Sequence, residues 1–317
     1  MTGAPVVHAW RSQTIRLRYS LSYARLFEIS FKALVDPRPF DLNRPLVSDA
    51  PPPVTEVPDG YDVVMERFRL LAAEIPVIQR LPNFLRYAPR QTMHYYTDLR
   101  GGPARAFQSM SSKTRSTLTR KVRKFKEFCG GELKWAVYRT RQEMLTFHRL
   151  ATGLARKTYQ QRLFESGLPE TEDFCATMLK LADCDAVRGF LLFHGEKPVA
   201  YLYTPAPDGF LVYEFLGYDP GYASLSPGTV LHYLALESLY AEQRFSLYYW
   251  SDGYSQTKDV FSTGQVLGAD VYFFRPTLRN RLAVGLHYRT DRFSEWVGDL
   301  LNRLQLKHKV KMWLKKQ

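Results

Sequence analysis

The stretch Tyr218-Asp219-Pro220-Gly221-Tyr222-Ala223-Ser224-Leu225-Ser226-Pro227-Gly228-Thr229 constrains this chain more than any other. An aromatic, hydrophobic strand pattern over Phe210–Leu216 leads into it, and an apolar-periodic helix pattern over Thr229–Glu242 leads out. Pro227 suits a first helical turn, where a missing N–H costs nothing, and Ser226 stands where a side-chain cap belongs. Gly228 carries no side chain to block approach to the free backbone donors of the helix entrance. A helix mouth of this kind can hold a phosphate or diphosphate, so Ser226, Gly228 and Thr229 become candidate ligand contacts. Taken by spacing alone, the same residues favour an ordinary helix start.

With 317 residues, 45% of them hydrophobic, the chain can bury a large core and is long enough for roughly two domains. A 14% aromatic content argues against global disorder. Three cysteines, Cys129, Cys175 and Cys184, form no disulfide framework and fit a reducing compartment. No leader pattern follows Met1, and no apolar run reaches membrane-spanning length, so a cytoplasmic location is expected. The net charge of +13 is local. Residues 109–126 hold seven Lys or Arg and residues 301–317 hold six, with no acid in either tract, while the remaining bases and acids balance at 31 each. Such concentration points to one or two anionic contacts rather than a generally cationic surface.

Proline-rich residues 36–60 read as a long surface connection. The spacing of Val64, Phe68, Leu71 and Ala72 predicts an amphipathic helix over Tyr61–Ile75, ended by Pro76. Val77–Leu81 and Met93–Leu99 read as short strands. A basic helix is expected over about 112–129, with Leu118, Val122 and Phe125 on one face and Lys121 and Lys124 on the other, stopped by Gly130-Gly131. Beyond it follow a strand at Leu133–Tyr138, helices at Glu143–Leu154 and Phe174–Leu181, and strands at Val187–Phe193, Val199–Tyr203 and Phe210–Leu216. The helix Thr229–Glu242 and strands Phe245–Trp250 and Val271–Phe274 complete the set. This order predicts a mixed sheet with helices packed on it.

Four segments, in this order and against this strand pattern, resemble a known family: Lys113-Thr114-Arg115-Ser116-Thr117-Leu118-Thr119-Arg120, Thr158-Tyr159-Gln160, Ser226-Pro227-Gly228, and Gly253-Tyr254-Ser255-Gln256-Thr257-Lys258. Together they resemble the Gcn5-related N-acetyltransferase superfamily over residues about 109–275. More narrowly, they resemble the CelD-like acetyltransferases of the cellulose-biosynthesis type, relatives of the Fem aminoacyl transferases. The superfamily's Gln/Arg-x-x-Gly-x-Gly/Ala signature is replaced here by Ala223-Ser224-Leu225-Ser226-Pro227-Gly228. The resemblance implies an α/β (α+β mixed-sheet) acyl-CoA N-acyltransferase-like fold, with acetyl-CoA or another acyl-CoA bound around Leu225–Thr229 as co-substrate and acyl transfer to an amine. It also allows a degenerate first copy in tandem. The expected division is an N-terminal domain over 1–108, an acyltransferase domain over 109–275 and a basic, amphipathic helical extension over 276–317. Together with the strand and the open loop, the resemblance moves the Ser226–Thr229 segment toward cofactor binding.

Acyl transfer from a thioester needs an unprotonated amine, a proton acceptor and a donor to the developing oxyanion. Glu214, read as mid-strand in Val212-Tyr213-Glu214-Phe215-Leu216, and Asp252 are the candidate bases. For Glu214 a solvent-facing edge position or an Arg pair is an even alternative. Lys258, six residues after Asp252, is a candidate catalytic residue that could stabilise the oxyanion or hold an anionic acceptor group. Tyr159 and Tyr254 are candidate acceptor contacts, Tyr159 serving equally well as a helix anchor. His232 fits a helix contact better than catalysis, and no metal spacing is legible among the histidines. Two alternatives stay open: aminoacyl transfer from charged tRNA in the same cleft, and a non-catalytic binding or scaffold protein of the same fold. The acceptor could be anionic or nucleotide-linked. The basic tracts could contact phosphate groups, tRNA or anionic lipid, the C-terminal one giving peripheral contact at the inner membrane surface.

Overall fold

The protein is described from a computed structural model, which covers residues 10–21, 24–36, 40–105, 107–108, 110–161 and 167–303. Strands β1 (Arg11–Leu21), β2 (Ala24–Asp36), β3 (Val63–Leu71), β4 (Ile78–Arg80), β5 (Leu85–Tyr87) and β6 (Gln91–Asp98) precede the first helix, α1 (Ser112–Phe128). There follow β7 (Trp135–Tyr138), α2 (Arg141–Gln161), α3 (Glu172–Asp183), β8 (Val187–His194), β9 (Lys197–Pro205), β10 (Leu211–Val212), β11 (Phe215–Tyr218) and α4 (Pro227–Glu242). The chain continues through β12 (Leu247–Asp252), α5 (Gln256–Phe261), β13 (Gly264–Phe274) and α6 (Leu278–Arg303). The contacts gather into two compact units. One takes the described residues up to Thr92 together with those from Val266 on; the other runs from Met93 to Gln265. These units divide the chain at other points than the three segments expected from sequence.

In the first unit β1 and β2 pair antiparallel from Arg11↔Val35 to Leu21↔Ala24. β2 runs parallel to β3, and β3 antiparallel to β13. β5 pairs β13, and β4 pairs β5. α6 lies on β1, where the buried Tyr19 hydroxyl donates to the Ala283 carbonyl at 2.9 Å. Val35, Val63, Phe31 and Phe274 fill the core beneath, the two rings meeting edge to face at 5.1 Å.

The helix expected over Tyr61–Ile75 is a strand instead. Val63, Val64 and Met65 are β-branched or flexible apolar residues buried one after another, as in a strand covered on both faces. A bulge then breaks the two-residue alternation: Phe68 adopts φ 49°, and the register shifts between Ala269 and Val271 on the partner strand. The extra residue puts Val64, Phe68 and Leu71 at a spacing that imitates a helix.

The second unit has the expected mixed α/β character. β11, β9, β8 and β7 form one antiparallel sheet. β12 pairs antiparallel with β6 and parallel with β10. β8 is buried on both faces. Phe190 and Leu192 belong to the cluster under α1 and α4, whereas Val187, Leu191 and Phe193 belong to the cluster under α2 and α3. This explains its reading as a continuous apolar run. The strand expected over Phe210–Leu216 is two strands. β10 stays with β12, β11 joins β9, and the chain changes partner at Tyr213-Glu214. Glu214 is therefore not an interior strand residue; it lies exposed at the crossover.

α4 is buried on nearly all sides, with Val230, Leu231, Ala235, Leu236, Leu239 and Tyr240 at 1% exposure or less. Its far end is fastened by Arg188 on β8, fully buried, which donates to the Glu242 carboxylate and pairs with Asp185 at 2.8 Å. Removing Glu242 leaves the buried guanidinium with Asp185 as its remaining carboxylate partner.

Gly217 on β11 marks a close approach. A Cβ there would sit 2.3 Å from Cε1 of Tyr201, its register partner on β9. Gly217→Ala is expected to destabilise the protein by about 1–3 kcal/mol through forced overpacking. Thermal or urea unfolding checks this, and an unchanged midpoint would contradict the packing described.

Candidate functional site

Helix α1 begins because Ser111 caps it, its Oγ accepting from the Thr114 N–H at 3.1 Å. It ends where Gly130 and Gly131 take positive φ and the Gly131 N–H bonds back to the Lys126 carbonyl. Leu118 and Phe125, seven residues apart and so on one face, are buried in the same cluster as α4. Lys124 Nζ donates to the Ser224 carbonyl at 3.2 Å, tying α1 to the turn before α4.

That turn differs from the sequence expectation. Residues Pro220–Leu225 wind into a 3-10 helix capped by Asp219, whose carboxylate accepts from the Gly221 N–H at 3.0 Å. Ser226 closes it in the left-handed region, φ 53° and ψ 49°, and makes no side-chain cap to α4. Its carbonyl instead accepts from the Thr229 and Val230 N–H groups at 3.0 and 3.1 Å. The left-handed turn explains the missing cap, since a capping side chain requires extended backbone at that position. Leu225 is buried in the core, and Gly228 is buried against β11, where a Cβ would lie 3.2 Å from Leu216 Cδ2. Thr229 reaches a cavity.

This cavity has a volume of about 250 Å³ and is lined by α1, the start of α4, and α5. Leu118, Val260 and Phe261 give it an apolar side. Lys113 and Lys121, with the hydroxyls of Thr114, Thr117, Thr229 and Thr257, give it a polar, cationic side, and Gln256 adds an amide. Among the described residues that line it none is acidic. Two ammonium groups and four hydroxyls beside a helix start suit an anion that also carries an apolar portion. Residues 113, 117 and 121 recur at helical i, i+4 spacing, a signal present in the sequence. The opposite wall, α5, spans only six residues, too short to show a period in the sequence.

The remaining candidates do not line this cavity. Asp252, Tyr254 and Lys258 gather at the end of β12. Lys258 is 9% exposed; its Nζ donates to Ser251 Oγ at 3.0 Å, to the Gly253 carbonyl at 3.1 Å and to the Asp252 carbonyl. Burial lowers its pKa, and the Asp252 charge partly offsets this. The ammonium thus holds a turn in which Ser251 and Gly253 both have φ 74°. The Asp252 side chain and Tyr254 are exposed. Glu214, at the crossover, has its carboxyl raised by desolvation, which brings it closer to a proton acceptor's range. Tyr159 falls within α2, but its side chain lies outside the described residues, as does the C-terminal tract beyond Arg303. No cluster of three or more potential metal ligands exists among the described residues.

His232, one turn into α4, is 1% exposed and lies among Trp250, Tyr213 and Phe261, at ring separations of 5.1, 5.3 and 5.8 Å. Neither ring nitrogen has a hydrogen-bond partner among the described residues, and burial pushes its pKa down to about 3. The imidazole is neutral, and Phe261, which packs near it, also lines the cavity.

Residues 112–259 match the family model described as an acetyltransferase (GNAT) domain, a span just under half of the chain. A GNAT-like acyltransferase domain is present. It contains α1, the Ser226 turn, α4 and Lys258, and so covers the cavity walls up to Asp259. No protein of curated function matches the sequence. Among solved structures, FemX is similar with a TM-score of 0.47 at 9% identity, over 88% of this chain and 91% of that one. L-PGS from Bacillus licheniformis gives 0.43 at 13% identity, over 73% of each chain. A GCN5-related N-acetyltransferase from Kribbella flavida gives 0.31 at 10% identity, over 61% of this chain and 60% of that one. Similarity at this level does not determine chemistry.

His232 gives the GNAT-like domain a definite acid response. Its folded pKa, about 3, lies below the ordinary histidine value of 6.5, so between these values the unfolded chain binds a proton the folded one refuses. The residue's contribution is constant above about pH 6.5 and is lost as pH falls through that window, at about 1.4 kcal/mol per unit. His232→Leu is expected to flatten this part of the stability–pH curve and to be neutral or stabilising at pH 5. Parallel curves for both proteins would contradict the buried neutral ring.

Proposed function

We propose that the chain is an acyl-CoA-dependent N-acyltransferase of the CelD-like kind, with acetyl-CoA as donor. The observation that carries this reading is the cationic cavity at the start of α4, set inside a GNAT-like domain. Lys113, Lys121 and Thr229 would hold the phosphate-rich part of the donor, and Leu118, Val260 and Phe261 would border its apolar part. The acceptor amine attacks the thioester carbonyl, forming the C–N bond and a tetrahedral oxyanion. Collapse breaks the C–S bond, and coenzyme A leaves as a thiolate that takes up a proton. The amine proton passes to a carboxylate directly or through water, with Glu214 or Asp252 as the acceptor. Lys258 would act through the turn it holds, since its ammonium already serves three acceptors. A location in the cytoplasm and an acceptor bearing an anionic group complete the proposal.

Calorimetric titration with coenzyme A and with pantetheine, which lacks its phosphates, tests this. The double variant Lys113→Ala/Lys121→Ala is expected to weaken coenzyme A binding about tenfold or more, the equivalent of about 1.4 kcal/mol, and to leave pantetheine binding unaltered. Unchanged coenzyme A affinity would remove the cavity from the donor site. Binding of aminoacyl-tRNA with none of coenzyme A would replace the reading with aminoacyl transfer.

A further inference from the structure

Helix α6 is apolar on two opposite sides. The inner side, with Asn280, Ala283, Val284 and His287, is buried on the first unit, and the Tyr87 hydroxyl lies 2.6 Å from His287 Nδ1. The outer side carries Leu278, Leu282, Leu286, Phe293 and Trp296, which are 73, 64, 48, 53 and 59% exposed. At about 100° per residue these five fall within one stripe less than a quarter-turn wide, diametrically opposite the buried face. The stripe is about 27 Å long, from Leu278 to Trp296, at 1.5 Å per residue. Phe293 and Trp296 stack on each other at 5.7 Å, so the aromatic end is a single flat surface. Scattered apolar residues on a surface need no explanation, but an aligned row of five does.

Charge selects the occupant. Arg289 falls inside the stripe by helical angle, and Arg281 and Arg292 flank it; all three are exposed. Of the neighbouring acids, Asp291 reaches His287 at 3.5 Å and Glu295 pairs with Arg292 at 3.8 Å, which leaves Asp299 to be counted against the charges of Arg281 and Arg289 beside the stripe. Beyond Arg303 the sequence continues with Lys307, Lys309, Lys311, Lys315 and Lys316 and no acid. A straight apolar row with arginines in and beside it, leading into a lysine-rich segment, matches the boundary between the acyl chains and headgroups of an anionic bilayer. The stripe runs along the length of α6, so the contact it offers is parallel to the surface; no helix among the described residues is long and apolar enough to cross a membrane.

We infer that the outer face of α6 is a docking surface for anionic lipid membranes, with Leu282, Phe293 and Trp296 inserted at the interface and Arg281, Arg289 and Arg292 on the headgroups. The inference is independent of the proposed transfer reaction.

The test is co-sedimentation of the full chain with phosphatidylcholine vesicles, with and without phosphatidylglycerol. The chain is expected to bind the anionic vesicles and not the neutral ones, and added salt to weaken the binding. Leu282→Gln/Phe293→Gln/Trp296→Gln, all exposed positions, is expected to bind at least about tenfold more weakly with an unchanged melting temperature. Arg281→Gln/Arg289→Gln, which leaves the lysine-rich segment and the stripe in place, is expected to bind more weakly as well. Tryptophan emission should shift to the blue on binding, and Trp296→Phe should remove most of that shift. Equal binding by the glutamine triple variant would overturn the inference, because the lysine-rich segment alone would then suffice. Absence of vesicle binding, with light scattering showing a dimer that the triple variant abolishes, would overturn it in favour of a second copy of the chain.

Discussion

The second unit depends on the burial of α4. A helix enclosed on nearly all sides can neither slide nor rotate without disturbing the cluster it shares with α1 and the strands beneath. Arg188 fixes one end through Glu242, and the left-handed Ser226 turn, packed against Leu216 by way of Gly228, fixes the other. The first turn of this largely buried helix is therefore held at a set place, with Thr229 on the cavity. A cationic recess is more useful when its donors are pre-positioned, because little ordering remains to be done on binding.

α1 supplies the complementary half. Its apolar stripe docks beside α4, and the same docking puts Lys113 and Lys121 on the lining of the cavity that α5 closes from the other side. One helix thus contributes both core and charge. Lys258 plays the reverse part: a charged residue of a kind often given to chemistry is almost wholly engaged in holding the end of β12. The change of sheet partner at Tyr213-Glu214 opens β10 from β11 and leaves a carboxyl of raised pKa at the division.

Much of the second unit was legible in the sequence because its signals are local. The glycine stop of α1, the two strands β8 and β9, and the run of apolar residues in α4 each lie within one stretch of chain. What was misread depends on distant partners. The Phe68 bulge in β3 made a strand look helical. The split of the 210–216 segment follows from β12 and β9 competing for it, which no local pattern records. Ser226 has the composition of a cap but the backbone of a left-handed turn, because a 3-10 helix runs directly into it. Lys121 reads as a solvated lysine until α5 is folded opposite. The unpaired ring of His232 leaves no trace in spacing at all.

The central claim is that α1 and the start of α4 together grip a phosphate-bearing acyl donor. The most direct measurement is a crystal structure of the full chain with coenzyme A. The account predicts phosphate oxygens within hydrogen-bonding distance of Lys113, Lys121 and the Thr229 hydroxyl. Coenzyme A well ordered elsewhere, with this cavity holding only solvent, would contradict it.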